Sequence, residues 1–157
     1  MIILVAECVG AGAFTVAGNV RRERRLIRSW GTDRRCVAYA FRDSTGVTES
    51  GMTPFWIEDA SGRAFVVGPR VVVDLPFVRT AGPAPALIGG SMLARRGNDG
   101  WFEEAIVEVG QRIVVTGDGV VEPEGEARGA GGPFRAAATR VRFASGARAA
   151  PIVRAAP

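Results

Sequence analysis

The sequence predicts an all-β protein, a small antiparallel barrel, and three observations lead to this prediction. The chain of 157 residues contains 21 Gly and 9 Pro, and such frequent turn formers suit many short strands better than long helices. About eight or nine short runs of β-branched, aromatic or alternating residues follow one another along it. One pair of runs forms a complete hairpin. The length predicts a single domain, residues 1–157, that can build its core without disulfides or metals.

The hairpin lies at residues 53–69. Residues 55–57 and 64–67 are two strand-like runs rich in aromatic and β-branched side chains. Residues 59–62 between them supply turn residues, and Gly68 and Pro69 end the second run. We expect the carboxylate of Asp59 to accept backbone N–H bonds inside the turn.

The first twenty residues admit two interpretations. An apolar run followed directly by basic residues 21–25 has the outline of a signal anchor. Glu7 near its middle opposes that interpretation, because a charge at the centre of a bilayer costs about 3 kcal/mol. We therefore predict two strands, residues 2–8 and 13–20, broken at the glycine-containing residues 10–12. No transmembrane helix is predicted within the chain.

Four further strands are predicted from hydrophobic runs and period-two alternation. They are a half-buried strand at 36–41, a buried strand at 71–75, a strand at 134–143 that places Arg140 and Arg142 in solvent, and an edge strand at 151–153.

The segments between these strands carry other signals. Residues 110–119 predict a turn, a buried strand and a second turn that contains Asp118 and Gly119. The start of a short helix is predicted at 101–106. A solvated loop or strand edge is predicted at 21–28, a loop at 43–51 and a mobile loop at 122–133. Residues 80–100 predict one long inserted loop with at most one helical turn.

Short strands bent by glycines and joined by one long connection fit a small closed or partly open barrel. The oligonucleotide/oligosaccharide-binding (OB) type of barrel is the architecture that this pattern favours. A β-sandwich is the alternative.

The composition argues against most catalytic chemistry. All 20 basic residues are Arg, and the chain has no His and no Lys; a GC-rich genome would also favour this composition. Without His the commonest acid–base group and metal ligand is missing, and without Lys no Schiff base can form. Cys8 and Cys36 lie in no zinc or CxxC pattern, and we interpret them as buried thiols of a reducing compartment, with a disulfide between them as the alternative.

The acidic residues form no catalytic pair. Glu58 and Asp59 are adjacent, as are Glu103 and Glu104, and neighbours on a strand point to opposite faces. We therefore expect no enzyme activity, no cofactor and no metal site, and no small-molecule substrate is identified. The net charge of +4 permits polyanion binding without implying it.

Three segments share their order and spacing with one known module. Residues 12–20 with 35–39 match its leading strand and Cys-Val-x-Tyr strand, residues 54–67 match its P-F-x-I-x-D-x-[ST]-G hairpin, and residues 103–117 match its E-x-x-L-x-x-G-x-x-V-x-V-x-G stretch. Together they resemble the GIDE domain, the membrane-adjacent OB-like module of the mitochondria-anchored ubiquitin ligase family and of many bacterial proteins. The resemblance spans residues 7–153. It does not extend to ligase activity, because the chain has no Cys/His cluster for a RING.

This resemblance implies a non-catalytic binding or scaffold module that contacts a protein partner near a membrane. We expect a cytoplasmic protein, consistent with thiols of a reducing compartment, that can associate with an anionic membrane surface. The basic segment 21–28 would contact the lipid, and the loop at 80–100 is a candidate for the partner contact. The candidate binding residues are Arg21, Arg22, Arg24, Arg25, Arg34, Arg35, Arg140, Arg142, Trp30 and Trp101.

Single-stranded nucleic acid is the alternative, less favoured ligand. On an OB-like barrel, exposed aromatic side chains stack on bases while arginines follow the phosphates. The exposed rings of such a surface would be Trp30 and Trp101, and its cations would be Arg34, Arg35, Arg63, Arg140 and Arg142. Trp56 and Tyr39 also carry suitable rings, but they lie in hydrophobic runs where burial is expected.

Overall fold

The computed structural model describes residues 2–3, 9–82, 100–123, 139–144 and 149–157. All regular structure among them is β, in thirteen strands. They are β1 (Ala11–Arg22), β2 (Ile27–Arg28), β3 (Arg35–Cys36), β4 (Ala38–Asp43), β5 (Thr48–Met52), β6 (Phe55–Glu58), β7 (Arg63–Val67), β8 (Val72–Asp74), β9 (Val78–Ala81), β10 (Trp101–Val107), β11 (Arg112–Pro123), β12 (Thr139–Ala144) and β13 (Ile152–Ala155). The described residues include no helix long and apolar enough to cross a membrane.

Five strands close into a barrel in the order β1, β6, β7, β12, β11 and back to β1. The pairing of β1 with β11, from Ala11 opposite Val120 to Asn19 opposite Arg112, closes the ring. The prediction of a small OB-like barrel is therefore confirmed over the β-sandwich. The strands are not all antiparallel, because β12 runs parallel to β7 and β13 runs parallel to β8.

The first barrel strand lies where the sequence predicted a strand and not a spanning helix. β1 buries Phe14, Val16 and Val20 at alternate positions, as a strand with one face on the core requires. Gly18 lies between them because a Cβ there would approach the Glu58 carbonyl oxygen to 2.7 Å. Ile3 forms one parallel bridge with Val16. The rest of the strand predicted at 2–8, including Glu7 and Cys8, lies outside the described residues.

The predicted hairpin is confirmed as β6 and β7. Phe55 lies opposite Val66 and Ile57 opposite Ala64, and all four side chains are fully buried. In the turn, Asp59 accepts hydrogen bonds from the backbone N–H groups of Ser61 and Gly62 at 2.7 and 2.9 Å. The predicted role of Asp59 is therefore confirmed.

A second sheet, in the order β5-β4-β10-β9, packs one face against the barrel. Ala38, Ala105 and Val107 of this sheet belong to the same core cluster as the buried barrel side chains. The opposite face carries a smaller cluster of Cys36, Tyr39, Phe41 and Phe102, on which Trp30 and Ile106 pack. The strand predicted at 36–41 is therefore buried on both faces, and the half-buried prediction is wrong.

Two predictions in this sheet are wrong for a shared reason. Residues 101–106 are strand β10 and not a helix, and residues 48–51 of the predicted loop at 43–51 belong to β5. Both strands lie against β4, which pairs with β10 from Ala38 to Asp43 and with β5 from Ala38 to Arg42. The partner strand decides the conformation where local propensity is weak. Only residues 44–47 form a turn, with the Asp43 N–H donating to the Val47 carbonyl.

Strand β11 continues through the predicted turn at Asp118 and Gly119 as far as Pro123. A Cβ on Gly119 would meet the Phe14 ring at 3.0 Å, so glycine here allows close packing between strands and does not form a turn. The predicted turn is wrong.

The later strands differ from their predictions in detail. In β12, Val141 and Phe143 are buried while Arg140 and Arg142 point outward, which confirms the predicted alternation for the described part of residues 134–143. β13 is no edge strand, because it lies between β11 and β8. β8 is itself an end strand, so the buried strand predicted there is only half-buried, with Val72 49% exposed.

The remaining sequence predictions concern loops. In the basic segment 21–28, Arg21 and Arg22 end β1, and residues 23–25 are exposed, as predicted, while Leu26 packs against the core before β2. Residues 83–99 of the predicted long loop at 80–100 lie outside the described residues, while Thr80 and Ala81 belong to β9. Residues 124–133 of the predicted loop at 122–133, and residues 134–138, also lie outside them.

Candidate binding surface

A stacked aromatic pair lies on the outer face of the barrel. Trp56 of β6 and Phe65 of β7 are opposite each other in the register, and their ring centroids are 4.5 Å apart with an interplanar angle of 27°. Both side chains are half-buried. The prediction that Trp56 is buried is wrong, because Phe55 and Ile57 occupy the inner face and the pleat turns the residue between them outward.

Charged residues flank this pair across neighbouring strands. One row runs Arg21, Trp56, Phe65, Arg142 on β1, β6, β7 and β12. The next row runs Glu58, Arg63, Arg140, Glu122 on β6, β7, β12 and β11. We call this surface the Trp56 face, and it consists of Arg21, Trp56, Glu58, Arg63, Phe65, Glu122, Arg140 and Arg142.

Two carboxylates bridge the arginines of the Trp56 face. Glu58 accepts from the Nε of Arg21 at 2.8 Å and from the Nε of Arg63 at 3.3 Å. The hydrogen bond from Arg21, with the nearby charge of Arg63, lowers the pKa of Glu58 below its ordinary value. Glu122 lies 3.2 Å from Arg140 and 3.5 Å from Arg142. The two carboxylates therefore offset two of the four arginine charges of the Trp56 face.

The Trp56 ring is held on several sides. The guanidinium of Arg140 lies over it, 5.6 Å from the ring centroid. Its Nε1–H donates to the carboxylate of Glu23, in the loop that follows β1. The Nε of Arg140 is buried and has no hydrogen-bond partner among the described residues. Contacts with Arg140 and Glu23 therefore hold the Trp56 ring in place beside Phe65.

A cavity of about 510 Å³ adjoins one side of the face. Arg21 and Glu58 line both the face and the cavity, and Asn19 and Arg112 add polar groups to it. Ile3 and Ala17 form part of its apolar wall. A ligand on the Trp56 face could therefore extend into a recess beside it.

Of the ten candidate binding residues, the structure brings only Arg21, Arg140 and Arg142 onto the Trp56 face. Arg63, predicted for the nucleic-acid alternative, also lies on it. Arg22, Arg24 and Arg25 lie beyond it, at the end of β1 and in the following loop. They are exposed, and none of the three forms an ion pair with a described residue. They constitute a separate basic patch.

The remaining predicted residues, Trp30, Arg34, Arg35 and Trp101, lie around the second sheet. Trp30 packs edge-on against Phe41 with ring centroids 5.4 Å apart, and Arg34 pairs with Glu108 at 2.7 Å. Arg35 is exposed on β3. Trp101 lies under the guanidinium of Arg79, 4.2 Å from the ring centroid. None of them joins the Trp56 face.

The adjacent carboxylates Glu103 and Glu104 point to opposite faces of β10, as predicted. The Glu103 carboxylate forms ion pairs with the Nε of Arg42 at 2.5 Å and with the Nη2 of Arg79 at 2.7 Å. Hydrogen bonds, first from Arg79 and then from Arg42, lower the pKa of Glu103.

Glu104 instead connects β10 to the turn before β3. Its Oε1 accepts from the Gly31 N–H at 2.7 Å, and its Oε2 accepts from the hydroxyl and N–H of Thr32 at 2.6 and 3.2 Å. Cys36 nearby is a buried thiol. Burial, reinforced by Glu104 and then Glu108, raises its pKa to about 12. These groups have structural partners, and the described residues contain no cluster of three or more metal-binding side chains.

Sequence reasoning missed the central pair of the Trp56 face and its second carboxylate, Glu122. A signal was present for Trp56, because it alternates with two strongly apolar neighbours, Phe55 and Ile57, in a run of period two. Nothing local marks Glu122, whose partners Arg140 and Arg142 reach it only through the pairing of β11 with β12.

Comparisons of this chain with protein-family models, with curated proteins and with solved structures found no match.

Proposed function

We propose that this protein is a non-catalytic, GIDE-like binding module that docks a protein partner through the Trp56 face, close to a membrane surface. The observation that carries the proposal is the outward-facing stack of Trp56 and Phe65 among four arginines of adjacent strands. Trp and Arg are the side chains that most often dominate the energetics of protein interfaces.

The contacts that hold Trp56 in place favour binding. Trp56 is already fixed by Phe65, Arg140 and Glu23. Ordering a mobile side chain on binding costs about 0.5–1.5 kcal/mol, and a side chain that is fixed in advance avoids most of that cost.

The charge of the face favours a protein over a polyanion. Glu58 and Glu122 each bridge two arginines, so phosphates would have to displace carboxylates that are already bonded. A partner with a few carboxylates and an apolar centre could instead share the arginines at the rim.

A non-catalytic role is supported by the absence of His and Lys from the whole sequence. The GIDE-like kinship is supported by the closed barrel and by the β6–β7 hairpin, which are features that the resemblance implies. Proximity to a membrane is supported by the exposed patch of Arg22, Arg24 and Arg25, since each basic residue near an anionic surface contributes about 1 kcal/mol.

Site-specific photo-crosslinking tests the docking surface. A benzophenone amino acid at Phe65 should give one discrete adduct in the native host, and the adduct should disappear when Trp56→Ala is added. The same probe at Val78, an exposed apolar residue of β9, is the matched control and should give no such adduct. Equal adducts from both positions, or an adduct that survives Trp56→Ala in a protein with an unchanged Tm, would refute the docking surface.

Liposome flotation tests the lipid contact independently. The native protein should float with vesicles that contain phosphatidylserine and not with neutral ones. The triple substitution of Arg22, Arg24 and Arg25 by Gln should abolish flotation, whereas Arg112→Gln should not. Equal recovery with neutral vesicles would contradict the contact.

Single-stranded nucleic acid is a second candidate, favoured by the row of two adjacent aromatic rings flanked by arginines on four neighbouring strands. Fluorescence anisotropy with a labelled 12-nucleotide oligomer, about the site size of an OB barrel, separates the two. Micromolar binding that weakens steeply with salt and requires Arg63 would support nucleic acid. No binding at low salt would eliminate it.

A further inference from the structure

A groove of about 730 Å³ lies between strands β5 and β8, away from the Trp56 face. Thr48 and Ser50 of β5 line one side, and Val71 and Val73, in and beside β8, line the other. β5 ends the second sheet, and β8 ends the sheet that contains the barrel. Each side of the groove is therefore an end strand, with one edge that no described strand pairs.

The hydrogen bonds of β5 show which backbone groups face outward. The Asp43 N–H donates to the Val47 carbonyl at 3.0 Å, and the Thr53 N–H donates to the Val37 carbonyl at 2.8 Å. Because bonded pairs alternate along an antiparallel ladder, residues 49 and 51 also bond to β4. The N–H and C=O groups of Thr48, Ser50 and Met52 consequently point away from β4, to the free edge.

In β8 as well, alternate backbone groups point away from the paired strand. The Val72 N–H donates to the Pro151 carbonyl at 2.8 Å, so Val72 and Asp74 bond to β13 in the parallel ladder. The backbone groups of Val71 and Val73 then point away from β13. No hydrogen bond joins them to another strand among the described residues.

Apolar side chains and one sign of charge line the groove. Ala40 and Phe77 contribute apolar surface, and Arg42 lies over the Phe77 ring. Arg70 is exposed and forms no ion pair with a described residue. Glu49 lies opposite Phe41 in the register, so its side chain belongs to the other face of the sheet. Arg42 is paired with Glu103, so Arg70 is the one unpaired positive charge among the described residues that line the groove. The groove face is therefore apolar, with a single positive charge at its margin.

We propose that this groove binds an extended, acidic segment of another polypeptide, which adds to β5 as an additional strand. Only a polypeptide backbone offers the alternating donors and acceptors that the edge of β5 lacks. Alternate side chains of the guest would lie beside Thr48 and Ser50 on the groove side, and a carboxylate of the guest would pair with Arg70.

β5 has none of the usual devices that block such pairing. Its sequence, Thr-Glu-Ser-Gly-Met, has a single charge and no proline, whereas protected edges carry prolines, bulges or several charges. It is exposed along most of its length. This site is independent of the proposed docking surface, since none of its lining residues belongs to the Trp56 face.

A synthetic probe tests the proposal on the full chain. The probe is a capped heptapeptide of alternating Val and Glu, titrated into ¹⁵N-labelled protein. We expect downfield amide shifts and slower hydrogen exchange at Thr48, Ser50 and Met52. A control peptide, N-methylated at alternate residues, cannot form the ladder and should leave these amides unchanged.

Two proline substitutions make a matched pair. Ser50→Pro removes an N–H from the free edge without touching the bonds to β4, and an edge strand tolerates proline there. It should weaken probe binding about tenfold or more. Ala81→Pro is the control, because Ala81 lies on β9, at the opposite edge of the same sheet. The Gly82 N–H donates to the Gly100 carbonyl, so the N–H of the preceding residue, Ala81, points away from β10. This variant should leave probe binding within about twofold.

Several results would overturn the proposal. One is that millimolar peptide produces no amide shifts. Others are that the Ser50→Pro and Ala81→Pro variants bind the probe equally well, or that the shifts are confined to the Trp56 face. Shifts at β5 that grow with protein concentration alone would assign the edge to a second copy of this chain instead. Trp56→Ala should leave probe binding unchanged, so failure here and failure of the docking surface are distinguishable.

Discussion

The barrel and the second sheet each carry a glutamate that bridges two arginines, and the two differ in burial. The Glu103 side chain is 10% exposed and lies between Arg42 and Arg79, whose guanidiniums cover Phe77 and Trp101. The Glu58 side chain is 32% exposed between Arg21 and Arg63. The carboxylate of Glu103 is largely shielded from water while its two arginines are more than half exposed, and fully exposed pairs contribute little. Similar residue sets therefore support a shielded carboxylate in one region and form a solvent-exposed surface in the other.

The largest expected effect concerns the core that both regions share. Phe143→Ala removes a fully buried ring and should cost about 3–5 kcal/mol of unfolding free energy. Because Ala105 and Val107 of the second sheet pack in the same cluster, we expect one cooperative urea transition for both regions. Coincident tryptophan-fluorescence and circular-dichroism curves would establish it. Two separate transitions would show that the regions unfold independently.

A smaller effect is expected at Glu104, which is specific to the second sheet. Glu104→Ala removes the acceptor of the Gly31 and Thr32 N–H groups and should cost about 1–3 kcal/mol. Glu122→Ala is the matched control on the barrel, where both guanidiniums remain partly hydrated, and should cost less than about 1 kcal/mol. Denaturant unfolding measures both. Equal losses would mean that burial does not distinguish the two regions.

The pH dependence of stability is expected to differ between the two regions. The folded-state pKa values of Glu58 and Glu103 are both lowered from their ordinary value of 4.5. Each carboxylate therefore contributes stability that is present above the unfolded pKa and is lost as pH falls through the folded pKa. We expect Tm to decrease below about pH 4.5, with a flatter decrease in Glu103→Gln than in Glu58→Gln. The reverse order would contradict the assignment of the structural role to Glu103.

The smallest effect is kinetic and concerns the far face of the second sheet. With its pKa raised to about 12, the buried thiol of Cys36 should resist alkylation by iodoacetamide at pH 8, because the thiolate is the reactive form. Peptide mass spectrometry should find Cys36 modified only after unfolding. Rapid modification in the native protein would show that this face opens easily.

The predictions from the sequence were most accurate where the residues that interact lie close together in the chain. The β6–β7 hairpin and the hydrogen bonds of Asp59 involve residues close in the chain. Alternation alone also placed Arg140 and Arg142 outward. The sequence-based predictions failed at β10, where pairing with β4 imposes a strand, and at Asp118 and Gly119, where the packing of β1 and β12 against β11 overrides a turn signal.

The candidate surfaces depended even more on distant contacts. The Trp56 face joins residues of five strands, from Arg21 to Arg142. The groove exists because β5 and β8 end two different sheets, which no local pattern records.

Side-chain pattern and composition are enough to show that this chain forms short strands around an apolar interior and that it has neither His nor Lys. Those properties are local. The exposed faces, the arginines that share a carboxylate and the unpaired strand edges become known only from the folded chain. Those properties arise from contacts between residues far apart in the chain, since burial and hydrogen bonding are fixed only when the strands meet.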